Sequence, residues 1–217
     1  MLSSAPSKWD RFWNTNRSSR FTKISWSKRR IIFILNRYVR KGIDVLDAGC
    51  GSGFFSAFFI SCGCNTFCLD YSKTALEIAR EHTKNSAKKY ILGDLLDDNL
   101  VKAYTNRFDL IFTDGLFEHF SVSEQDRISN NFKLMKKKGG KIITFVPNRF
   151  TLWTLIRPFY LPGIKEKPFT IERLKKLHRK NGFEIDEWGG INVIPAKYSP
   201  DMLIGKHMGM LIYCVGH

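Results

Sequence analysis

The chain has 217 residues, 43% of them hydrophobic, and a formal net charge of +15 from 35 Lys and Arg against 20 Asp and Glu. No apolar run approaches the roughly 18 residues of a membrane-spanning helix, and the start, broken by Ser3, Ser4, Pro6 and Ser7, lacks the apolar region of a secretory leader. The length suits one α/β domain with additions over residues 1–217, and the five Cys suit free thiols in a reducing, cytoplasmic setting. Cys62, Cys64 and Cys68 cluster as C-x-C-x3-C, which is no common zinc arrangement, and read as packing residues.

Residues 1–42 hold eleven Lys or Arg against a single acid, Asp10, interleaved with Trp9, Phe12, Trp13, Phe21 and Trp26. They read as a basic helical cap, with Ile31–Leu35 as the packed face of one helix. Residues 43–147 alternate apolar runs with helical patterns, the signature of a parallel sheet with right-handed crossovers. Its strands are Val45–Asp47, Asn65–Asp70, Tyr90–Asp94, Phe108–Phe112 and Lys141–Val146, the last entered through a helix-end turn over Leu134–Gly140. The Lys136–Lys138 run would then sit at a helix C-terminus, where cations complement the dipole. Residues 148–181 read as an apolar insertion, Asn148–Ile164, followed by a basic amphipathic helix over Thr170–Asn181. Residues 182–217 supply a sixth strand at Phe183–Trp188 and a last one at Met210–Val215.

The first strand ends in Asp47 and runs into Gly49-Cys50-Gly51-Ser52-Gly53. Glycines at alternate positions permit a tight strand-to-helix turn with positive φ and a close backbone approach. The turn also aims free N–H groups and a helix N-terminus at an anionic group. Phe54 stands where the dinucleotide fingerprint calls for a third glycine or alanine, which argues against a nicotinamide cofactor. Asp70, at the tip of the next strand, suits the two hydroxyls of a ribose, and Tyr71 offers an apolar face beside the nucleoside. Asp94, at the tip of the third, suits an adenine amino group.

That ordered set, with the Phe108–Phe112 strand and the Gly139-Gly140 turn, resembles the Rossmann-like, class I S-adenosylmethionine-dependent methyltransferases over residues 41–146. The resemblance implies a seven-stranded, mostly parallel sheet with helices on both faces and an antiparallel last strand beside the sixth. It implies S-adenosylmethionine as cofactor, held by Asp47, Gly49, Cys50, Gly51, Gly53, Asp70, Tyr71, Asp94, Leu95 and Thr113. Some relatives set an arginine of the N-terminal region against the methionine carboxylate, which nominates Arg20. Residues after the fourth strand then border the transferable methyl. His119 is the candidate general base, because an imidazole titrates near neutral pH, with Glu118 and Asp114 behind it. The acid–His pair can equally serve to fix the loop. In some quinone-pathway and small-RNA methyltransferases such a pair helps hold a divalent metal. No second Glu or His cluster is evident nearby in this sequence, so no metal is assigned.

The segment Phe150–Pro162 carries Arg157 as its only charge, and suits the wall of a pocket for an apolar or aromatic acceptor or a contact with a membrane surface. The basic, aromatic N-terminus keeps an RNA or protein substrate in contention. Against that, Thr113-Asp114-Gly115-Leu116 lacks the Asn/Asp-Pro-Pro-aromatic motif of amino-methylating enzymes. The expected function is methyl transfer to oxygen, nitrogen or carbon of a small molecule. RNA or protein methylation, nicotinamide-dependent oxidoreduction and a non-catalytic scaffold are the alternatives.

Overall fold

The structure, a computed structural model, describes residues 6–17, 20–151, 154 and 166–217. Most of the apolar insertion expected over Asn148–Ile164 lies outside the described residues. Seven strands form one sheet: β1 (Asp44–Ala48), β2 (Asn65–Asp70), β3 (Lys89–Leu92), β4 (Phe108–Asp114), β5 (Lys136–Pro147), β6 (Ile185–Ile191) and β7 (Leu211–Gly216). Their order is β3-β2-β1-β4-β5-β7-β6, with β7 antiparallel to both neighbours. The sheet and its antiparallel last strand are therefore as expected.

The helices are α1 (Pro6–Thr15), α2 (Trp26–Leu35), α3 (Phe54–Ser61), α4 (Lys73–His82), α5 (Asp98–Ala103), α6 (Val122–Met135), α7 (Ile171–Lys180) and α8 (Asp201–Met208). All five residues of β1 are buried, because helices cover both faces of a parallel sheet. One apolar cluster, centred on Phe108, Phe117, Phe132 and Phe169, fills one face, and another, with Phe59, Phe112 and Phe145, fills the other. Local chemistry sets the helix starts. Ser121 and Glu124 form a reciprocal capping box on α6, and the Ser72 and Thr170 hydroxyls accept from the first turns of α4 and α7.

Three expectations are corrected. Strand β5 begins at Lys136, directly after α6, because Lys136 already pairs with Phe108 and a shift in the ladder absorbs the glycine turn. Lys136 caps the C-terminus of α6, as expected of this run, while Lys137, already in β5, reaches Asp109 at 2.8 Å and Asp44 at 3.4 Å. Strands β6 and β7 run to Ile191 and Gly216, further than their expected ends, and α8 between them gave no pattern in the sequence because its buried positions are glycine-rich.

Candidate active site

The strand order reverses between β1 and β4, and their carboxyl ends part to leave a crevice. A cavity of about 300 Å³ lies there. Its floor is the loop after β1, its wall the tips of β2, β3 and β4, and its roof the N-terminal segment. Gly49, Gly51 and Gly53 hold φ of +75°, +51° and +71°, which side chains other than glycine adopt only with strain. A Cβ on Gly51 would come within 2.7 Å of the Trp13 ring, so this glycine admits the roof rather than leaving open space. A Cβ on Gly53 would come within 2.8 Å of the Ala79 backbone. Gly53 thus serves α3–α4 packing and does not line the cavity.

Asp70 receives the backbone N–H groups of Gly51 and Ser72, each at 2.9 Å, one on each oxygen. Burial nevertheless pushes its pKa up to about 6. Asp47, under the loop, accepts the Ser56 hydroxyl at 2.6 Å, and burial raises it to about 7. Burial also lifts Asp114 to about 6, against the opposing field of Lys28. Lys28 reaches in from α2, and burial lowers its ammonium to about 8 although Asp114 favours the charge. Its Nζ donates to the carbonyls of Phe21 and Lys23 and stands 4.0 Å from the Phe54 ring centroid. Among the described residues, six carboxyl groups line the cavity (Asp47, Asp70, Asp94, Asp114, Glu118 and Glu166) against one lysine and one histidine. In a chain of net charge +15, the interior is acidic where the exterior is basic.

Helix α1 supplies the roof. Trp9, Phe12, Trp13 and Phe21 pack edge-to-face with centroids 5.2 to 5.6 Å apart. Asp10, the single acid of residues 1–42, anchors the helix by accepting from the Ser72 hydroxyl at 2.5 Å and the Thr74 N–H at 3.2 Å. Burial would raise the Asp10 pKa, but these bonds outweigh it and hold the carboxyl below its ordinary value. At the far end, Glu118 and His119 sit on a 3-10 turn, Phe117–His119, fixed by the Gln125 amide donating to the Phe117 and Phe120 carbonyls. The Trp9 ring stands edge-on to His119, centroids 4.9 Å apart. Glu166 places a carboxylate oxygen 3.8 Å from His119 Nε2, and the Glu118 carbonyl accepts from Lys167 N–H. The expectation that no further Glu or His approaches the pair is thereby overturned. Glu118, His119 and Glu166 each bring a ligand-type atom within 4.8 Å of the others, a donor set that suits a hard or borderline divalent cation.

Residues 45–140 match the family profile described as a methyltransferase domain. A structure described as a methyltransferase dependent on S-adenosylmethionine, from Archaeoglobus fulgidus, superposes with a TM-score of 0.67 at 17% identity, covering 87% of this chain and 93% of that one. The fold is that of the class I S-adenosylmethionine-dependent methyltransferases. The Synechocystis magnesium protoporphyrin IX methyltransferase, solved with S-adenosylhomocysteine, superposes at 0.62 with 15% identity over 87% of this chain and 80% of its own. In sequence, the methyltransferase is 26% identical over 168 residues to a ubiquinone biosynthesis O-methyltransferase of Coxiella burnetii, covering 76% of this chain and 70% of the relative. Matches to its counterparts in other strains span 59% of their length.

The cavity of this methyltransferase fits its family's cofactor on chemical grounds. An acid-lined interior suits a sulfonium and an ammonium, and each Asp70 oxygen keeps a lone pair for a ribose hydroxyl after serving one N–H. Of the residues nominated for the cofactor, Asp47, Gly49, Cys50, Gly51, Asp70, Tyr71, Asp94 and Leu95 line the cavity, as do the catalytic candidates Asp114, Glu118 and His119. Thr113 does not. It is fully buried within β4, since successive strand residues point to opposite faces and Asp114 takes the open side. The Arg20 side chain lies outside the described residues. Sequence reasoning missed Lys28, Glu166 and Leu211 as lining residues. Lys28 was one cation among eleven, and Glu166 is far from His119 in sequence; the apolar-faced α2 entering a basic region was the one available signal for Lys28.

Proposed function

We propose that this methyltransferase acts on a small acceptor with an apolar or aromatic body, transferring the methyl to an oxygen. The observation that carries the reading is the acid-lined cavity under an aromatic roof. A polyanion such as RNA would meet six carboxylates there, and an aromatic acceptor would meet Trp9 and Phe120. The O-methyltransferase among the relatives supports the same choice of atom.

S-adenosylmethionine, when bound, supplies an electrophilic methyl, so the chain's own task is mainly to position and deprotonate. Asp70 would hold the ribose, and the Lys28 ammonium the carboxylate of the amino-acid end. His119 would take the acceptor's hydroxyl proton, and the Glu166 carboxylate, 3.8 Å from Nε2, would stabilise the charge the imidazole then carries. Trp9 would exclude water from that end. The Glu118–His119–Glu166 cluster favours a second reading, in which the same three residues hold a divalent cation that acidifies the acceptor hydroxyl.

The test is transfer of radiolabelled methyl to a panel of phenols and catechols alongside bulk RNA. Label in a phenolic acceptor is expected, lost in His119→Ala while S-adenosylhomocysteine affinity is kept. Label in RNA alone would overturn the reading. Titration with Mn²⁺ followed by electron paramagnetic resonance separates the two mechanisms. Stoichiometric binding that disappears in Glu166→Gln selects the cation, and its absence selects the imidazole acting as base.

A further inference from the structure

Helix α8 is packed the wrong way round for an ordinary surface helix. Its buried position is Gly205, which lies backbone to backbone on Gly190 of β6, so closely that a Cβ on either would collide with the other's carbonyl. The large apolar side chains point outward: Met202 is 102% exposed, Leu203 78% and Met208 45%, joined by Tyr198 at 81% in the preceding loop. A helix normally turns such residues to the core, since leaving them in water forfeits their burial. Here three polar ties hold the reversed orientation. Arg30 pairs with Asp201 at 2.7 Å, and the Asn148 amide donates to the His207 and Gly209 carbonyls at 2.9 and 3.0 Å. A contiguous exposed apolar surface on a protein marks an interaction site.

The surrounding charge says which kind. Residues 191–217 contain one acid, Asp201, and Arg30 already engages it. Lys197 and Lys206 accompany these side chains, Lys197 over the Tyr198 ring and Lys206 over Trp188. From this patch we infer that α8 is a docking surface for an anionic lipid bilayer. Protruding Met and Leu suit a fluid surface that needs no complementary pocket, whereas protein hot spots seat their anchors in pockets. The lysines can extend their stems along the apolar layer and place their charge among lipid phosphates. A second copy of the chain would bring +15 against +15, which opposes self-association through this face. The helix is linked to the cavity through the chain, since α8 leads through Gly209 and Met210 into Leu211, which lines it.

The experiment is sedimentation of the full chain with phosphatidylcholine vesicles, with and without phosphatidylglycerol, at physiological salt. Wild type should co-sediment with the anionic vesicles and bind the neutral ones roughly tenfold more weakly. The double variant Met202→Asp, Leu203→Asp should lose about tenfold or more of the anionic binding. Both residues are exposed, so retained S-adenosylhomocysteine affinity will report an intact fold. Wild type that ignores the vesicles overturns the inference. So does a double variant that sediments like wild type, because the basic N-terminus would then be the membrane contact. Self-association, or binding to polyglutamate without vesicle binding, abolished by the same double variant, would assign the face to a protein instead.

Discussion

The strand-tip wall of the cavity and its roof do different work with different materials. The wall comes from β1, β2, β3 and β4, where buried backbone ladders fix Asp47, Asp70 and Asp114 to within the tolerance of the sheet. The roof comes from α1 and the segment leading into α2, tied down by Asp10, by four packed aromatic rings and by exposed pairs of Arg17 with Glu77 and Glu81. Exposed ion pairs contribute about 0–1 kcal/mol each, so the roof rests on its rings and on Asp10. The wall can bind a ligand that is the same in every turnover. The roof is placed to select what enters beside it.

Breaking the wall should give the largest effect. Asp70→Ala removes the acceptor of two backbone N–H groups and the proposed acceptor of the ribose hydroxyls, and hydrogen bonds to a charged group are worth about 1.5–3 kcal/mol. Calorimetric titration with S-adenosylhomocysteine should show affinity lowered by about tenfold to a hundredfold. Unchanged affinity would remove Asp70 from the cofactor site.

Breaking the roof should move a different parameter. Trp9→Ala strips the ring that stands on His119 and opens that end of the cavity to water. The expectation is a fall of roughly tenfold in kcat/KM for the acceptor, about 1.4 kcal/mol of transition-state stabilisation, with S-adenosylhomocysteine affinity kept within about twofold. Equal losses in both would show that wall and roof form one unit, and the comparison would fail.

The two halves also differ in how much of them a reader of the sequence can find. Asp47, Gly49, Gly51, Asp70 and Asp94 are legible because each follows an apolar run, so a strand tip can be counted off. Gly53 and Thr113 show the limit of that counting. The first answers to Ala79 on a neighbouring helix, and the second is turned away by the two-residue period of β4. The roof and the acceptor end depend on tertiary pairing between distant segments. Nothing local to Trp9 announces His119, and nothing local to His119 announces Glu166. The ion pairs of Lys137 were hidden for the same reason, since Asp44 and Asp109 come from other strands. Helix α8 escaped because its glycine-in, apolar-out pattern reverses the periodicity by which surface helices are recognised.

The smallest expected effect sharpens where wall meets roof. Lys28 belongs to the roof segment and faces Asp114 of the wall, with pKa values of about 8 and about 6. Both are set chiefly by burial, and each charge favours the other. If Lys28 holds the cofactor's carboxylate, the free protein must carry its ammonium. Affinity then stays level below pH 8, is halved near pH 8, and falls by up to tenfold per unit above it. The acid side has the opposite sign. If Asp70 and Asp114 meet a cationic ligand as carboxylates, affinity falls as pH drops below about 6. S-adenosylhomocysteine lacks the sulfonium but keeps the ammonium, hydroxyls and carboxylate, so its affinity should trace a plateau between these limits. Lys28→Met keeps the stem against Phe54 and removes the charge. Its profile should lose the alkaline limb and retain the acid one. A variant that keeps both limbs would return the carboxylate contact to another cation and leave Lys28 as a buried support for the Phe21 and Lys23 carbonyls.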